Sequence, residues 1–381
     1  MNTQTSEPIA HAVSPVQTSP AAAADVLQGL RSNILRAAAD RAPLRIRGGG
    51  SKDFLGQGFT GTLLDTRPLA GILSYEPTEL FITALAGTPL AQIEAALAER
   101  GQMLAFEPPS FAGAATVGGV VAAGLSGPRR ASVGAVRDFV LGLGCMDAQG
   151  RELQFGGQVM KNVAGYDVSR LMCGAMGILG LITQVSLKVL PRPAAEASIM
   201  FDCEAAEALQ LLNTWGGQPL PISASVHGAG SLVVRFSGAR AAVEAALGRM
   251  MRDHSARPIP EAAATQLWAD LREHRAAFFA DAGRPLWRLS LPSTAALGSL
   301  PGEQCIEWGG ALRWLVSDAD PAVIRRAASA AGGSALLFRG GDRGAGVFHP
   351  LPAPLLALHR RLKQQFDAPG IFNPGRMYTD L

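Results

Sequence analysis

The sequence predicts an α+β protein with a glycine-rich first half and an antiparallel second half. Up to "LPRP" at Leu190–Pro193, short strand-like apolar segments outnumber helical ones. Of the 44 glycines, 24 lie between Gly48 and Gly180, where the backbone must turn sharply or approach something closely. Beyond Pro193 the predicted order is strand, helix, strand, strand, helix, which is typical of an antiparallel sheet covered by helices.

The first half is predicted to start with a helix and a strand. Residues 1–24 are rich in Ser, Thr, Pro and Ala without the pattern of a secretory signal, so we predict a disordered tail. A helix is predicted over Asp25–Arg41, and a strand over Leu44–Arg47 runs directly into three glycines. Further strands are predicted at Thr62–Asp65, Gly71–Tyr75, Leu80–Ala86, Asp138–Met146 and Ile182–Leu190.

A second helix carries clear start and stop signals. Thr88 is its predicted N-cap, Pro89 lies in its first turn and Gly101 ends it. Its core face is predicted to consist of Leu90, Ile93 and Leu97.

The second half is predicted as strands and helices of ordinary length. Its strands are expected at Ala197–Asp202, Ile222–His227, Leu232–Phe236, Leu286–Leu291, Ile306–Trp308, Arg313–Val316 and Ala335–Arg339. Its helices are expected at Glu204–Trp215, Ala239–Met251, Ala322–Ala331 and Pro354–Phe366.

Charge and cysteine spacing exclude several function classes. A net charge of +3 over 381 residues indicates no nucleic-acid partner. The most apolar stretch, Leu171–Ile182, is too short and too glycine-rich to span a bilayer. The four cysteines lie outside CxxC spacing, which argues against iron–sulfur and structural zinc sites and favours reduced thiols in a cytoplasmic protein.

The segment "RIRGGGSKDFLG", Arg45–Gly56, allows a phosphate site, a tight turn or a hinge. Backbone N–H groups can surround a diphosphate only where no Cβ intervenes. The spacing GxxxxGK[ST] of a P-loop is absent, and so is the GxGxxG of a Rossmann unit. Taken alone, this segment favours a plain turn.

Three further segments change that interpretation: "PPSFAGAATVGGVVAAG", "VGAVRDFVLGLGCMDAQGREL" and "KNVAGYDVSRLMCGAMGILGLITQVSLKVLP". With the glycine loop they resemble, in order and interval, the FAD-binding domain of the vanillyl-alcohol oxidase / p-cresol methylhydroxylase (PCMH) superfamily. The resemblance implies a two-subdomain FAD-binding domain over residues 25–193, an antiparallel α+β cap over 194–340 and a C-terminal segment, 341–381, that returns to the first domain.

The same resemblance implies which residues contact FAD. The glycine loop would bind the diphosphate through main-chain amides, so a side chain at position 49 is expected to occupy the diphosphate space. The implied contacts are Gly48, Gly49, Gly50, Ser51, Pro109, Thr116, Gly118, Gly119, Gly134 and Ile182.

Each of two pairs of charged residues allows either a ligand contact or a role without a ligand. Asp167 and Arg170 could face a ligand or form a structural pair at a strand start. Arg129 and Arg130 could meet a phosphate, although a solvated loop is the favoured interpretation.

The histidine distribution predicts non-covalent FAD. Some relatives attach FAD through a histidine directly after the loop glycines, where this chain has Ser51, and no histidine lies between Ala12 and Val226. Cys145 and Cys173 lie in apolar contexts and are expected in the core rather than on the flavin.

Oxidation of a 2-hydroxy acid needs a hydride acceptor, a proton acceptor and usually a cation for the carboxylate. FAD-dependent D-2-hydroxy-acid dehydrogenases, which this chain resembles, often carry an H-x-G-D-G-N-x-H metal and substrate motif where this chain reads "FRGGDRGAGVFHPL". That segment supplies too few ligands, so we predict no metal. His349, Arg339 and Arg343 are the weak catalytic candidates, and a structural loop is an equal alternative.

The resemblance is closest to the FAD-binding subunits of bacterial glycolate oxidase, through "AGLSGPRRASVGAVRDFVLG" and the terminal "FDAPGIFNPGRMY". It implies oxidation of glycolate to glyoxylate in a complex with a larger flavin subunit and an iron–sulfur subunit, in the cytoplasm or peripherally at the inner face of the membrane through those partners. Two alternatives remain: a non-catalytic FAD-containing relay or structural subunit, and a stand-alone FAD oxidoreductase of another substrate, such as UDP-N-acetylenolpyruvylglucosamine reductase.

Overall fold

The computed structural model describes residues 20–58, 60–157, 167–281, 283–296, 298 and 300–381. The helices are α1 (Pro20–Asp40), α2 (Leu90–Ala98), α3 (Val117–Ala123), α4 (Arg130–Val133), α5 (Val136–Phe139), α6 (Val168–Leu171), α7 (Ala205–Gly216), α8 (Arg240–Asp253), α9 (Glu261–Arg272), α10 (Pro321–Ala330) and α11 (Ala353–Phe366). The strands are β1 (Leu44–Arg47), β2 (Thr62–Asp65), β3 (Ile72–Glu76), β4 (Phe81–Leu85), β5 (Gln102–Met103), β6 (Val140–Met146), β7 (Glu152–Gly156), β8 (Leu181–Lys188), β9 (Leu190–Pro191), β10 (Ala195–Asp202), β11 (Ile222–Gly228), β12 (Ser231–Gly238), β13 (Arg257–Ile259), β14 (Leu286–Ser290), β15 (Glu303–Glu307), β16 (Leu312–Val316) and β17 (Ser334–Arg339).

A small subdomain is built around the parallel pair of β1 and β2, in which Leu44 pairs with Thr62 and Arg47 with Asp65. Leu30 and Ile34 of α1 share a buried cluster with Leu44, as the predicted helix face requires. Phe372, near the C-terminus, forms a parallel bridge to Leu44 and joins the same cluster. The chain's last residues therefore pack beside the strand that enters the glycine loop.

The second subdomain contains the five-stranded antiparallel sheet β3-β4-β8-β6-β7. Helices α2 and α3 cover it, and the predicted core face of α2 is buried, with Leu90, Ile93 and Leu97 almost inaccessible. The same core contains Val120 and Val121 of α3. Helix α3 is thereby held against the sheet.

The second half is a fully antiparallel eight-stranded sheet, in the order β13-β10-β12-β11-β15-β16-β14-β17. One face carries Trp287 and Leu337, which pack with Ile324 of α10. The other carries Leu312 and Trp314, which pack with residues of the first half. The period of two along each strand decides which side chains face the first half.

Several sequence expectations need correction. Helix α1 begins at Pro20, inside the predicted tail, because the alanine run that follows favours helix; residues 1–19 lie outside the described residues. Thr88 is not the N-cap of α2, since its hydroxyl donates to the carbonyls of Leu85 and Gly71 instead. The first residues of β6, predicted from Asp138, form the helical turn α5.

The predicted Thr-Val-Gly-Gly turn is the start of helix α3. Thr116 caps the helix by accepting a hydrogen bond from Gly119 N at 3.3 Å. Gly118 is required for packing, because a Cβ there would lie 2.7 Å from the side chain of Ala86.

The two halves are joined by buried charges as well as apolar contacts. Arg129 is 4% exposed and donates to Glu107, to Glu196 at 2.7 Å and to Ser237. Arg235 donates to Glu107 at 2.9 Å from the other half. The expectation that Arg129 lies in a solvated loop was therefore wrong.

In the part of the chain that the structure describes, no helix combines the length and the apolar character needed to cross a bilayer.

Candidate functional site

The glycine loop leaves β1 and runs along one wall of a cleft. A Cβ on Gly49 would lie 1.4 Å from the carbonyl oxygen of Ala114, and one on Gly48 would lie 2.3 Å from Thr116 Oγ1. Gly50 has a φ of +76°, which favours glycine. The loop is thus pressed against residues 114–116, and only glycine permits that approach.

The loop presents a row of main-chain donors. None of the N–H groups from Gly48 to Lys52 donates to an acceptor among the described residues, although all five residues line the cleft. Unpaired amides are costly when they are removed from water, so such a row indicates a place for an external acceptor. The amides at the start of α3 differ, since Val117 N and Gly118 N donate to the carbonyls of Thr88 and Ala86.

The side chains that line the cleft carry an excess of positive charge. Arg47, Lys52 and Arg376 line it, with Asp53 as the carboxylate, and Arg47 donates to Asp53 at 2.6 Å. Burial lowers the pKa of Lys52 to about 8, while the charge of Glu273 partly opposes that shift. The charge and the free amides together suit an anionic ligand.

Residues of the C-terminal segment line the cleft and hold the backbone of β1 and of the loop in place. Asn373 accepts from Ile46 N at 2.8 Å and donates to Met176 O at 2.8 Å. Arg376 donates to Gln57 O and to Asp53 O, which fixes the loop beyond the glycines. Burial lowers the pKa of Arg376 to about 10.

The structure brings six of the ten predicted FAD contacts together in this cleft, namely Gly48, Gly49, Gly50, Ser51, Thr116 and Gly119. The other four do not line it. Gly118 packs on Ala86, and Ile182 is buried in the core of the five-stranded sheet. Gly134 ends α4 with a φ of +103°, and Pro109 lines a second cavity.

The three weak catalytic candidates do not line the glycine-loop cleft. His349 contacts Ser329 Oγ at 3.1 Å and accepts from Ala335 N. Arg339 donates to Phe279 O at 2.9 Å, and Arg343 donates to Gly56 O and to Phe54 O. Each contact ties one backbone segment to another.

Two other sequence candidates have structural contacts. Asp167 caps α6 by accepting from Arg170 N and pairs with the Arg170 side chain at 3.2 Å. Arg130 lies over the ring of Trp308, 4.4 Å from its centroid. Residues 161–166 of the third quoted segment lie outside the described residues.

A second cavity lies where the two halves meet. Its wall combines Phe111 from the first half with Trp314 and Phe338 from the second, and includes the charged residues Arg288 and Glu307. It adjoins the glycine-loop cleft, because Lys52 Nζ lies 5.4 Å from the centroid of the Phe111 ring. Sequence reasoning missed this cavity. The signals available were an arginine inside the apolar strand "LWRLS" and a glutamate directly after the apolar residues Cys305 and Ile306.

No thiol among the described residues lines either cavity. Cys145 is buried in the core, and burial raises the pKa of the Cys145 and Cys173 thiols to about 12. No cluster of three His, Cys, Asp or Glu among the described residues could hold a metal ion.

Comparison with known proteins places the chain in a family. Residues 29–156 match the family described as an FAD binding domain. The chain is 50% identical over 357 residues to the glycolate oxidase subunit GlcE of Escherichia coli (strain K12), a match covering 94% of this chain and 99% of that protein. The chain belongs to the GlcE family of glycolate oxidase subunits.

More distant similarities agree with this assignment. The GlcE-family chain is 31% identical over 162 residues to the glycolate oxidase subunit GlcD of Bacillus subtilis (strain 168), covering 42% of this chain and 34% of that protein. The structure of 4-ethylphenol oxidase from Gulosibacter chungangensis superposes with a TM-score of 0.69 at 15% identity, over 93% of this chain and 88% of that chain. At that identity the likeness concerns the fold alone, and it confirms the predicted PCMH-type α+β class.

The GlcE-family chain is therefore a flavoprotein and an FAD-dependent oxidoreductase, and FAD is its cofactor, as predicted. The glycine-loop cleft fits this cofactor on its own chemistry. FAD carries two linked phosphates, and the cleft offers a row of unpaired amides and basic side chains.

Proposed function

We propose that this chain is the FAD-binding subunit of a complex that oxidises glycolate to glyoxylate and passes the electrons to partner subunits. FAD supplies the hydride acceptor. The observation that carries the proposal is the row of unpaired amides from Gly48 to Lys52, on a chain so similar to a glycolate oxidase subunit over nearly its whole length.

FAD is held without a covalent bond in this proposal. The residues of the described cleft include neither histidine nor cysteine, and Ser51 stands directly after the glycines. Arg47, Lys52 and Arg376 hold the diphosphate together with the loop amides, and Asn373 keeps the loop and β1 in place. Acid precipitation is expected to release all of the yellow colour; flavin remaining on the precipitated chain would contradict the non-covalent arrangement.

The partners in this proposal are a larger flavin subunit and an iron–sulfur subunit, with the complex in the cytoplasm or peripheral at the membrane. The E. coli and B. subtilis relatives are both named as glycolate oxidase subunits, which supports an assembly of several chains. Co-purification of the chain from its native source, followed by identification of the accompanying polypeptides, tests the partners directly.

A non-catalytic relay subunit is the second candidate. It is favoured by the structural contacts that occupy His349, Arg339 and Arg343. Glycolate added without oxygen to the isolated, FAD-loaded chain separates the two functions. We expect the flavin absorbance to bleach; no bleaching, with turnover restored by the partners, would favour the relay.

FAD binding is expected to be linked to the protonation of Lys52. A diphosphate favours the charged ammonium, so binding raises the lowered pKa of Lys52 and the protein takes up a proton above pH 8. Affinity for FAD should therefore fall as the pH rises through about 8. Calorimetry in two buffers of different ionisation enthalpy measures the uptake.

The variant Lys52→Met tests the linkage between FAD binding and protonation of Lys52. It should abolish the proton uptake and weaken FAD binding by about 1.5–3 kcal/mol, the usual worth of a charged hydrogen bond. Lys188→Met, which changes a lysine that does not line the cleft, serves as the control. Undiminished uptake in Lys52→Met would contradict the linkage.

A further inference from the structure

The cavity between the two halves has charged groups where the fold calls for apolar ones. Arg288 pairs across the sheet with Trp314, which pairs with Cys305, so these three side chains share a face. Glu307 lies two residues after Cys305 and therefore on that face as well. This is the face that packs against the first half, through Phe111 and Leu125.

Arg288 has no hydrogen-bond acceptor among the described residues. Its guanidinium makes no hydrogen bond and no ion pair within 4.0 Å among the described residues; it lies over the ring of Trp308, 5.2 Å from the centroid. The side chain is only half-buried by surface area, yet burial lowers its pKa to about 10. Arg288 lines the cavity, and a guanidinium without an acceptor among the described residues suits a carboxylate.

Glu307 offers one free oxygen beside that cation. Trp314 Nε1 donates to its Oε1 at 2.6 Å, and Oε2 receives no hydrogen bond from the described residues. Burial raises the pKa of Glu307 to about 7, with Glu107 adding to the shift and Arg288 opposing it. Arg130 faces the same Trp308, and burial keeps His274 in the cavity wall neutral by lowering its pKa to about 3.

The backbone around the cavity is held in an uncommon conformation. Phe111 and Ala112 have φ values of +47° and +68°, and Phe111 N donates to Glu273 at 2.7 Å. Positive φ at residues other than glycine costs free energy and is concentrated at functional sites. Glu273 is buried and also accepts from Ser110, which keeps Phe111 over Lys52 at the junction of the two spaces.

We propose that this cavity binds a small 2-hydroxy carboxylate, with Arg288 binding its carboxylate and Glu307 accepting a hydrogen bond from its hydroxyl. This inference rests on the proposed function and names the residues that would select its substrate. The aromatic side chains that line the cavity suit the small carbon skeleton of such an acid.

Oxalate is a suitable probe, because it has the size of glycolate but no C–H bond to lose. Calorimetric titration of the FAD-loaded chain should show saturable binding. Arg288→Met should weaken it at least about tenfold, which corresponds to 1.4 kcal/mol. Arg284→Met, which breaks an exposed pair with Asp318, should leave it unchanged.

Two further readouts separate ligand binding from a structural role. Arg288 makes no hydrogen bond or ion pair within 4.0 Å among the described residues, so Arg288→Met is expected to change the thermal midpoint little, with only the contact over Trp308 lost. Oxalate needs Glu307 protonated to approach it, so its affinity should fall from pH 6 to pH 8. Glu307→Gln should remove that pH dependence.

The inference is overturned if wild-type chain with FAD bound does not bind oxalate, or if Arg288→Met binds it as the wild type does. It is also overturned, with the proposed function left standing, if the complex carrying Arg288→Met oxidises glycolate with the KM of the wild-type complex. A wild-type complex that does not oxidise glycolate overturns the proposed function and this inference together.

Discussion

Gly49→Ala is expected to leave the protein without FAD. The new Cβ would lie 1.4 Å from the carbonyl oxygen of Ala114, and backbone cannot yield as a flexible side chain would. The loop must move away from residues 114–116, and its amides lose their common direction. If this displacement costs about 3 kcal/mol, FAD affinity falls about a hundredfold.

Flavin absorbance per chain after gel filtration measures the loss, and circular dichroism checks that the variant is folded. Gly58→Ala is the matched control, since this nearby glycine is exposed and a Cβ on it would meet no atom within 4 Å. It should retain all of its FAD. A Gly49→Ala protein with full flavin content would show that the loop does not hold the cofactor.

The largest loss of stability is expected from Lys363→Met. Lys363 Nζ is buried and donates to Ile178 O, Phe372 O and Asp367 Oδ2, all within 2.8 Å. Methionine fills the space but leaves Asp367, which is 1% exposed, without its counter-charge. Removal of one partner of a buried pair costs about 3–5 kcal/mol.

The effect should reach the cofactor as well, because Asp367 accepts from Ile371 N and Phe372 N and so positions the segment that carries Asn373 and Arg376. Urea denaturation gives the free energy of unfolding. Arg361→Met, on the exposed side of the same helix, should change it by no more than about 0.5 kcal/mol. Equal stability of Lys363→Met and wild type would contradict the buried-pair account.

Local pattern was enough to predict most elements. The glycines that follow a short run of alternating apolar residues predicted a loop at the end of β1. The spacing of Leu90, Ile93 and Leu97 predicted the buried face of α2. Local propensity gave a wrong prediction where tertiary contacts determine the secondary structure. Two glycines suggested a turn at Thr116–Gly119, but a helix forms there because the backbone packs closely on Ala86.

The reason for the loop glycines was only partly predictable. A side chain at Gly49 was expected to fill the diphosphate space, whereas its Cβ would point at Ala114. The residues that pack behind a loop come from distant parts of the chain. The spacing of the loop's own residues therefore does not indicate them. For the same reason Arg129 was expected to be solvated, although its partners Glu196 and Ser237 lie in the other half.

The second cavity was not predictable from the sequence. Arg288 and Glu307 are separated by a loop and lie on strands that are not adjacent in the sheet, with β16 between them. Strand alternation shows that each shares a face with apolar neighbours, but not that the first half covers that face.

Hydrogen–deuterium exchange at residues 48–52 tests the central claim most directly. In the FAD-free chain these amides have no acceptor among the described residues and should exchange rapidly. Addition of FAD should slow them by at least about tenfold, whereas riboflavin, which lacks the diphosphate, should not. Unchanged exchange at these residues in a chain that has bound FAD would contradict the account.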